Sequence, residues 1–249
     1  MNTRIDDYSI KNLYFYPVYG GFMVKELKYM LIEHTEKDLE FLKNYETMLD
    51  TISEEIVSFF KLENFGEKAK VKIFSSLEEF RSFCLEKQLG IDKNGQIPDW
   101  LCGVTRNGMF IVPTYEEYIK TKGHGNHSVE DYAYLLLHEF VHICHIKKKK
   151  TSKLGYKWFT EGLATNLSHQ YSSKKPSFRA TLEQIKFGTD YMSFCAMFQY
   201  VMNTYGVEYI YLLLENDELL VEETPRLYLE TKDYYDNLEF KAEASIHLN

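Results

Sequence analysis

The sequence lacks several features that would have set its class at once. It has no stretch of about 18 apolar residues, so no membrane-spanning helix is expected. Its four cysteines, at 84, 102, 144 and 195, form no C-x-x-C pair. A chain of 249 residues does not need disulfide staples, so they read as free, mostly buried thiols of a reducing compartment. There is no basic excess. The formal net charge is −8, and a nucleic-acid partner would be repelled through its phosphates. The opening MNTRIDDYSIKNLYFYP has no basic start followed by a long apolar run, so no secretory signal is read and a cytoplasmic location is expected. No internal repeat, low-complexity segment or linker is visible. Hydrophobic content of 45% and charged content of 27% are ordinary for a soluble protein, and the length suits one domain, or one domain with two lobes.

Periodicity predicts the elements. Apolar residues recur at three- and four-residue spacing from Met30 to Phe60, so residues 23–63 read as helical. KAKVKIF (68–74) alternates like a strand. SSLEEFRSFCLEKQLG has an N-cap serine, an acidic first turn and a closing Gly90, the marks of a helix. GVTRNGMFIVP (103–113) reads as a strand or hairpin turning at Asn107-Gly108. TKGHGNHS (121–128) is a loop whose Ser128 pairs with Asp131 as a capping box, and a helix follows over about 129–147. The basic run Lys147–Lys150 reads as its solvated C-terminal end. Helices are expected near 157–170, 177–187, 190–203 and 206–220, then a polar tail.

The helix at 129–147 carries the chemistry. His138-Glu139-Phe140-Val141-His142 is H-E-x-x-H. Two histidines four apart lie on one helix face, so both rings can reach one metal ion. Glu139 stands next to the first of them, where it can take a proton from water on that metal. Leu135, Leu136 and Leu137 precede the motif and bury the helix.

A metal centre of this kind needs a third protein ligand and one open position. His145 lies about 10 Å along the helix axis from His138, too far for one ion in a straight helix, and reads as a supporting or surface histidine. His124 and His127, in GHGNH, sit in a loop that can bind metal or simply be polar. Glu161, in WFTEGLATNL, offers a carboxylate from the next helix, and the small Gly162 and Ala164 let two helices approach closely.

HEFVH, an eighteen-residue gap and W-x-x-E-G-L-A together resemble the gluzincin metallopeptidases, the thermolysin-like and M1-aminopeptidase-like superfamily. The likeness covers roughly residues 68–215 and is specific through 135–167. It implies one zinc ion held by His138, His142 and Glu161, with Glu139 as general base, in an enzyme that hydrolyses a peptide or protein substrate. YMSFCAMFQYVMNTYG (191–206) is similar to the helix that, in the aminopeptidase branch, opens on a tyrosine that stabilises the oxyanion. That maps the role onto Tyr191, with Tyr156, Tyr171 and His169 as rivals.

Two positions depart from the family pattern. Arg106 stands near the place where the aminopeptidase branch grips a free amine with a glutamate. Thr165 stands where thermolysin-like enzymes carry an acid that orients a zinc histidine. A non-catalytic zincin-like binding or regulatory protein is therefore the competing reading, and a helical interaction protein without metal a third. The resemblance implies an α+β, zincin-like two-lobe catalytic domain, a small mixed sheet with the active-site helix followed by a helical lobe. Together with the periodicity, the chain reads as one domain over 1–249: a helical N-terminal segment (1–65), an α/β lobe with the active-site helix (66–147) and a helical lobe (148–249). Neither the substrate nor the oligomeric state is readable from the residues.

Overall fold

The computed structural model describes residues 22–92, 94–106, 108–150, 155–172 and 174–246. AKVKIF forms β3 (Ala69–Phe74) and MFIVP forms β5 (Met109–Pro113). They pair in parallel; β5 is apolar on both faces, whereas β3 alternates buried Ala69, Val71 and Ile73 with the half-buried Lys70 and Lys72 before the buried Phe74. Ala69, Val71, Ile73, Phe110 and Val112 enter the main core. Phe74 and Ile111 join Phe80, Cys84, Leu89 and Leu101 in a smaller cluster that includes α2 (Leu77–Glu86). Ser76 caps α2 by accepting from the Glu79 amide at 3.1 Å.

The mixed sheet has the order β1-β2-β3-β5-β4. β1 (Met23–Glu26) is antiparallel to β2 (Met30–His34), which runs parallel to β3. At the other edge, β4 (Val104–Arg106) is antiparallel to β5, with Thr105 opposite Phe110. After the short α3 (Tyr115–Tyr118) comes α4 (Val129–Lys149), started by the Ser128/Asp131 capping box. It packs against the sheet and against α1 (Leu39–Phe59).

α5 (Lys157–Leu167) lies between α4 and α7 (Tyr191–Tyr205). A Cβ at Gly162 would stand 2.6 Å from the Phe194 carbonyl oxygen and 2.9 Å from Phe198 Cβ. Glycine at that position is therefore what lets α5 and α7 meet. α6 (Leu182–Phe187), α8 (Val207–Glu215) and α9 (Asp217–Ile246) complete the helices among the described residues. The main cluster of buried residues runs without a break from the sheet to Leu220 and Leu227 of α9. No helix among the described residues is long and apolar enough to cross a membrane.

The expected α+β mixture is present, but its start is not helical throughout. Residues 23–34 form a β-hairpin closed by the Leu27 amide donating to Met30 O at 2.9 Å. Met30, Ile32 and His34 are buried at alternate positions, so the spacing taken for a helix also fits a strand. The helix begins only at Leu39, after a 3-10 turn over Glu36–Asp38. Residues 1–21 of the expected helical segment, and Asn107 of the expected turn, lie outside the described residues.

The expected polar tail is helix instead. α8 stops where Asn216 turns extended (φ −130°, ψ 97°) and its Oδ1 accepts from the Leu219 amide. α9 then runs to Ile246 even though Pro225 lies inside it. Arg226 pairs with Glu230, and Lys232 with Asp236, at i,i+4 spacing, which supports the exposed face. The helix expected over 177–187 is confined to 182–187, and that expected over 157–170 ends at Leu167. The basic end of α4 is not simply solvated. Lys147 donates to the Phe65 and Glu67 carbonyl oxygens, and Lys149 pairs with Asp217.

His145 is not at the surface. It is fully buried against Phe60 and Phe159, and neither ring nitrogen has a hydrogen-bond partner among the described residues. Burial, aided by His142, lowers its pKa from the ordinary 6.5 to about 3. Between these values an unfolded chain takes up a proton that the folded chain refuses. The stability that the neutral ring supports is therefore complete above pH 6.5 and is lost as pH falls toward 3. His145→Leu should remove this dependence. Urea unfolding of both proteins from pH 7.5 to pH 5 should show the variant gaining up to about 1.4 kcal/mol on wild type per pH unit below the histidine range. Parallel curves for the two proteins would contradict the burial.

Candidate metal centre

α4 presents His138 and His142 toward α5, which returns Glu161, and Glu139 toward the edge strand β4. His138, Glu139 and Glu161 are buried, and His142 is nearly so. His138 Nε2 lies 3.2 Å from His142 Nε2 and 3.2 Å from Glu161 Oε2, and His142 Nε2 lies 3.3 Å from the same oxygen. The three atoms form a nearly equilateral triangle. Ligands about 2.0–2.1 Å from a tetrahedral ion stand about 3.3 Å apart, so the triangle has the dimensions of three corners of such a shell. Among the described residues, these three side chains form a group that could hold a metal ion. His145, His124 and His127 are not part of it.

The electrostatics are those of a cation site. Burial pushes the Glu161 carboxyl up, but the His142 charge, hydrogen bonds from both histidines and the Lys157 ammonium outweigh it and hold the group well below the usual carboxylate range. Burial likewise works against a charge on His142, and Glu161 reverses it, raising the imidazole above its ordinary value. A carboxylate and an imidazole that stabilise positive charge between them suit a metal, which binds to deprotonated ligands.

The supporting contacts are unusual. His138 Nδ1 and His142 Nδ1 are buried and have no partner among the described residues. Thr165 does not orient either ring, because its hydroxyl donates to the Gly162 carbonyl at 3.0 Å. The orienting contact is on Glu161: Lys157 Nζ donates to its Oε1 at 2.8 Å. Spacing alone could have found this contact, since Lys157 and Glu161 are four apart on one helix.

Glu139 is held from the sheet. Thr105 on the edge strand β4 donates its hydroxyl to the Glu139 carboxylate, and Thr105 Oγ1 also lies 3.2 Å from the Glu139 carbonyl oxygen. Gly103 leaves room for that carboxylate: a Cβ there would stand 2.7 Å from Glu139 Oε1. Neither residue carries a local sequence signal, because both meet α4 across a separation of more than thirty residues.

The centre opens into a cavity of about 950 Å³, a size suited to an organic ligand. Tyr191 lines it at the start of α7, its ring 6.0 Å from that of His138. Burial, with Glu161 and Glu139 nearby, raises the Tyr191 pKa well above the ordinary value, so the phenol keeps its proton. Tyr171 shares the cavity, whereas Tyr156 packs on Phe187 and His169 faces Glu55. Arg106 also lines it and donates to the Lys87 carbonyl at 3.3 Å. The histidine loop is held by its own rings: His124 bonds Thr121 at 2.8 Å and lies 3.7 Å from Cys102 Sγ, and His127 bonds Tyr118.

Compared with protein-family models, with curated proteins and with solved structures, the chain matches none.

Thr105→Val should leave a buried carboxylate short of a donor. It should cost about 1–3 kcal/mol in urea unfolding, while Thr105→Ser should stay close to wild type. Equal losses in both variants would show that Thr105 matters for packing and not for its hydroxyl.

Proposed function

We propose that this chain is a zinc-dependent metallopeptidase of the gluzincin type. The observation that carries the reading is the triangle of His138 Nε2, His142 Nε2 and Glu161 Oε2, with Glu139 beside it at the wall of a large cavity. Two histidines and a carboxylate are a donor set suited to zinc with a fourth position free for water or substrate. On this reading the sheet with α4 is one lobe of a zincin-like domain and the helices from α5 onward are the other.

Zinc bound there would supply Lewis acidity and make water acidic enough to lose a proton near neutral pH. The chain's own groups do the rest. Glu139, steadied by Thr105, takes the proton of the attacking water and passes it to the leaving amine. Tyr191 keeps its phenolic proton and can donate it, as a hydrogen bond, to negative charge that develops on the carbonyl oxygen. β4 is a sheet edge lining the cavity, so its free main-chain groups can hold an extended peptide. A net charge of −8 favours a peptide over a nucleic acid as the substrate.

One observation favours a second reading, a zincin-like binding protein that keeps the metal without turnover. The unpartnered Nδ1 atoms of His138 and His142 are where catalytic zinc sites usually have orienting partners. Glu139→Gln separates the two. The variant should bind zinc like wild type while its cleavage of a mixed peptide library, read as newly formed amino termini, falls by about 10²-fold or more. Equal cleavage by both proteins would overturn the assigned mechanism. Zinc uptake with no cleavage by wild type would favour the binding protein.

A further inference from the structure

The two oxygens of Glu161 have different partners. Oε2 faces His138 and His142 at 3.2 and 3.3 Å, and Oε1 receives the Lys157 ammonium at 2.8 Å. We infer that Lys157 is a positioning residue that makes Glu161 a one-oxygen ligand to the metal and so keeps a coordination position open. This rests on the metal reading above.

A carboxylate can bind a metal through one oxygen or both. A buried carboxylate with both oxygens free can swing to chelate the ion, filling a position that water or substrate would otherwise take. Here the second oxygen is already occupied by a charge-assisted hydrogen bond, the stronger kind. The geometry is local: Lys157 opens α5 and Glu161 follows one turn later, so the helix itself sets the reach of the ammonium. The Lys157 side chain is half exposed while the carboxylate is 7% exposed, so the lysine closes the solvent side of Glu161. It also lines the cavity, as His138, His142 and Glu161 do.

The lysine stands in for contacts the site otherwise lacks. With both Nδ1 atoms unpartnered and Thr165 turned to its own helix, Lys157 is the group outside the triangle that hydrogen-bonds a ligand side chain among the described residues. Removing it frees Oε1 without removing any ligand.

The test uses cobalt(II) as a spectroscopic substitute for zinc, loaded one ion per chain into wild type, Lys157→Met and Lys157→Arg. Wild type should show the intense visible bands of a four-coordinate ion. Lys157→Met should bind the ion but lose much of that intensity, as Glu161 chelates through both oxygens and the coordination number rises. Lys157→Arg, which can still donate to Oε1, should recover the wild-type spectrum. Thermal unfolding of the three metal-free proteins should show Lys157→Met still folding cooperatively, with a modest loss from the freed Oε1, and Lys157→Arg close to wild type. A Lys157→Met spectrum identical to wild type overturns the inference and leaves the metal site standing. A wild type that takes up no cobalt or zinc overturns the metal site itself, and the inference with it.

Discussion

The close approach of α5 to α4 is the constraint on which the rest depends. Glu161 can reach the two histidines only if its helix lies against theirs, and α5 is held there from the far side by α7. That outer contact needs Gly162, because a side chain would collide with the Phe194 carbonyl. The residue that permits the packing is thus the neighbour of the residue that completes the donor triangle. A buried carboxylate between two buried imidazoles is costly in an apolar interior unless opposite charge compensates it. The triangle meets that requirement with positive charge, whether carried by a proton on His142 or by a metal ion.

The site is also where the sheet and the helices touch chemically. Thr105 reaches from the edge strand to Glu139, so the strand best placed to hold an extended ligand also holds the group best placed to move a proton. Gly103, two residues earlier, clears the space for that carboxylate. The edge strand, α4, α5 and the start of α7 each contribute to one cavity. Opposing packing demands are met without a large domain: α2 covers one face of the sheet, α1 and α4 the other.

Much of this was legible in the residues, and the limits have physical causes. H-E-x-x-H states its own geometry, because four-residue spacing on a helix fixes a common face. Glu161 was one of three candidates by residue type, and the gluzincin resemblance singled it out. The structure places its oxygen with the two histidines and leaves His124, His127 and His145 outside. The hairpin at 23–34 was misread because Met30 and His34, four apart, satisfy helical and strand periods alike. α9 was missed because its buried stripe, Leu220, Thr224, Leu227 and Thr231, is half threonine and so reads as polar in the sequence. Thr105 and Gly103 act across a tertiary contact that no local pattern records. Lys157 was visible as an i−4 partner of Glu161, but such pairs are common on helix surfaces. Only the burial of its partner gives this one significance.

The central claim is that His138, His142 and Glu161 hold a metal ion, and elemental analysis tests it most directly. Purified wild type and Glu161→Ala, each supplied with zinc and then washed free of excess, are compared for zinc per chain. The account expects one zinc per chain in wild type and much weaker retention in the variant. No zinc in wild type would contradict it, leaving HEFVH as a core helix and the triangle as a hydrogen-bonded cluster of a carboxylate and two imidazoles.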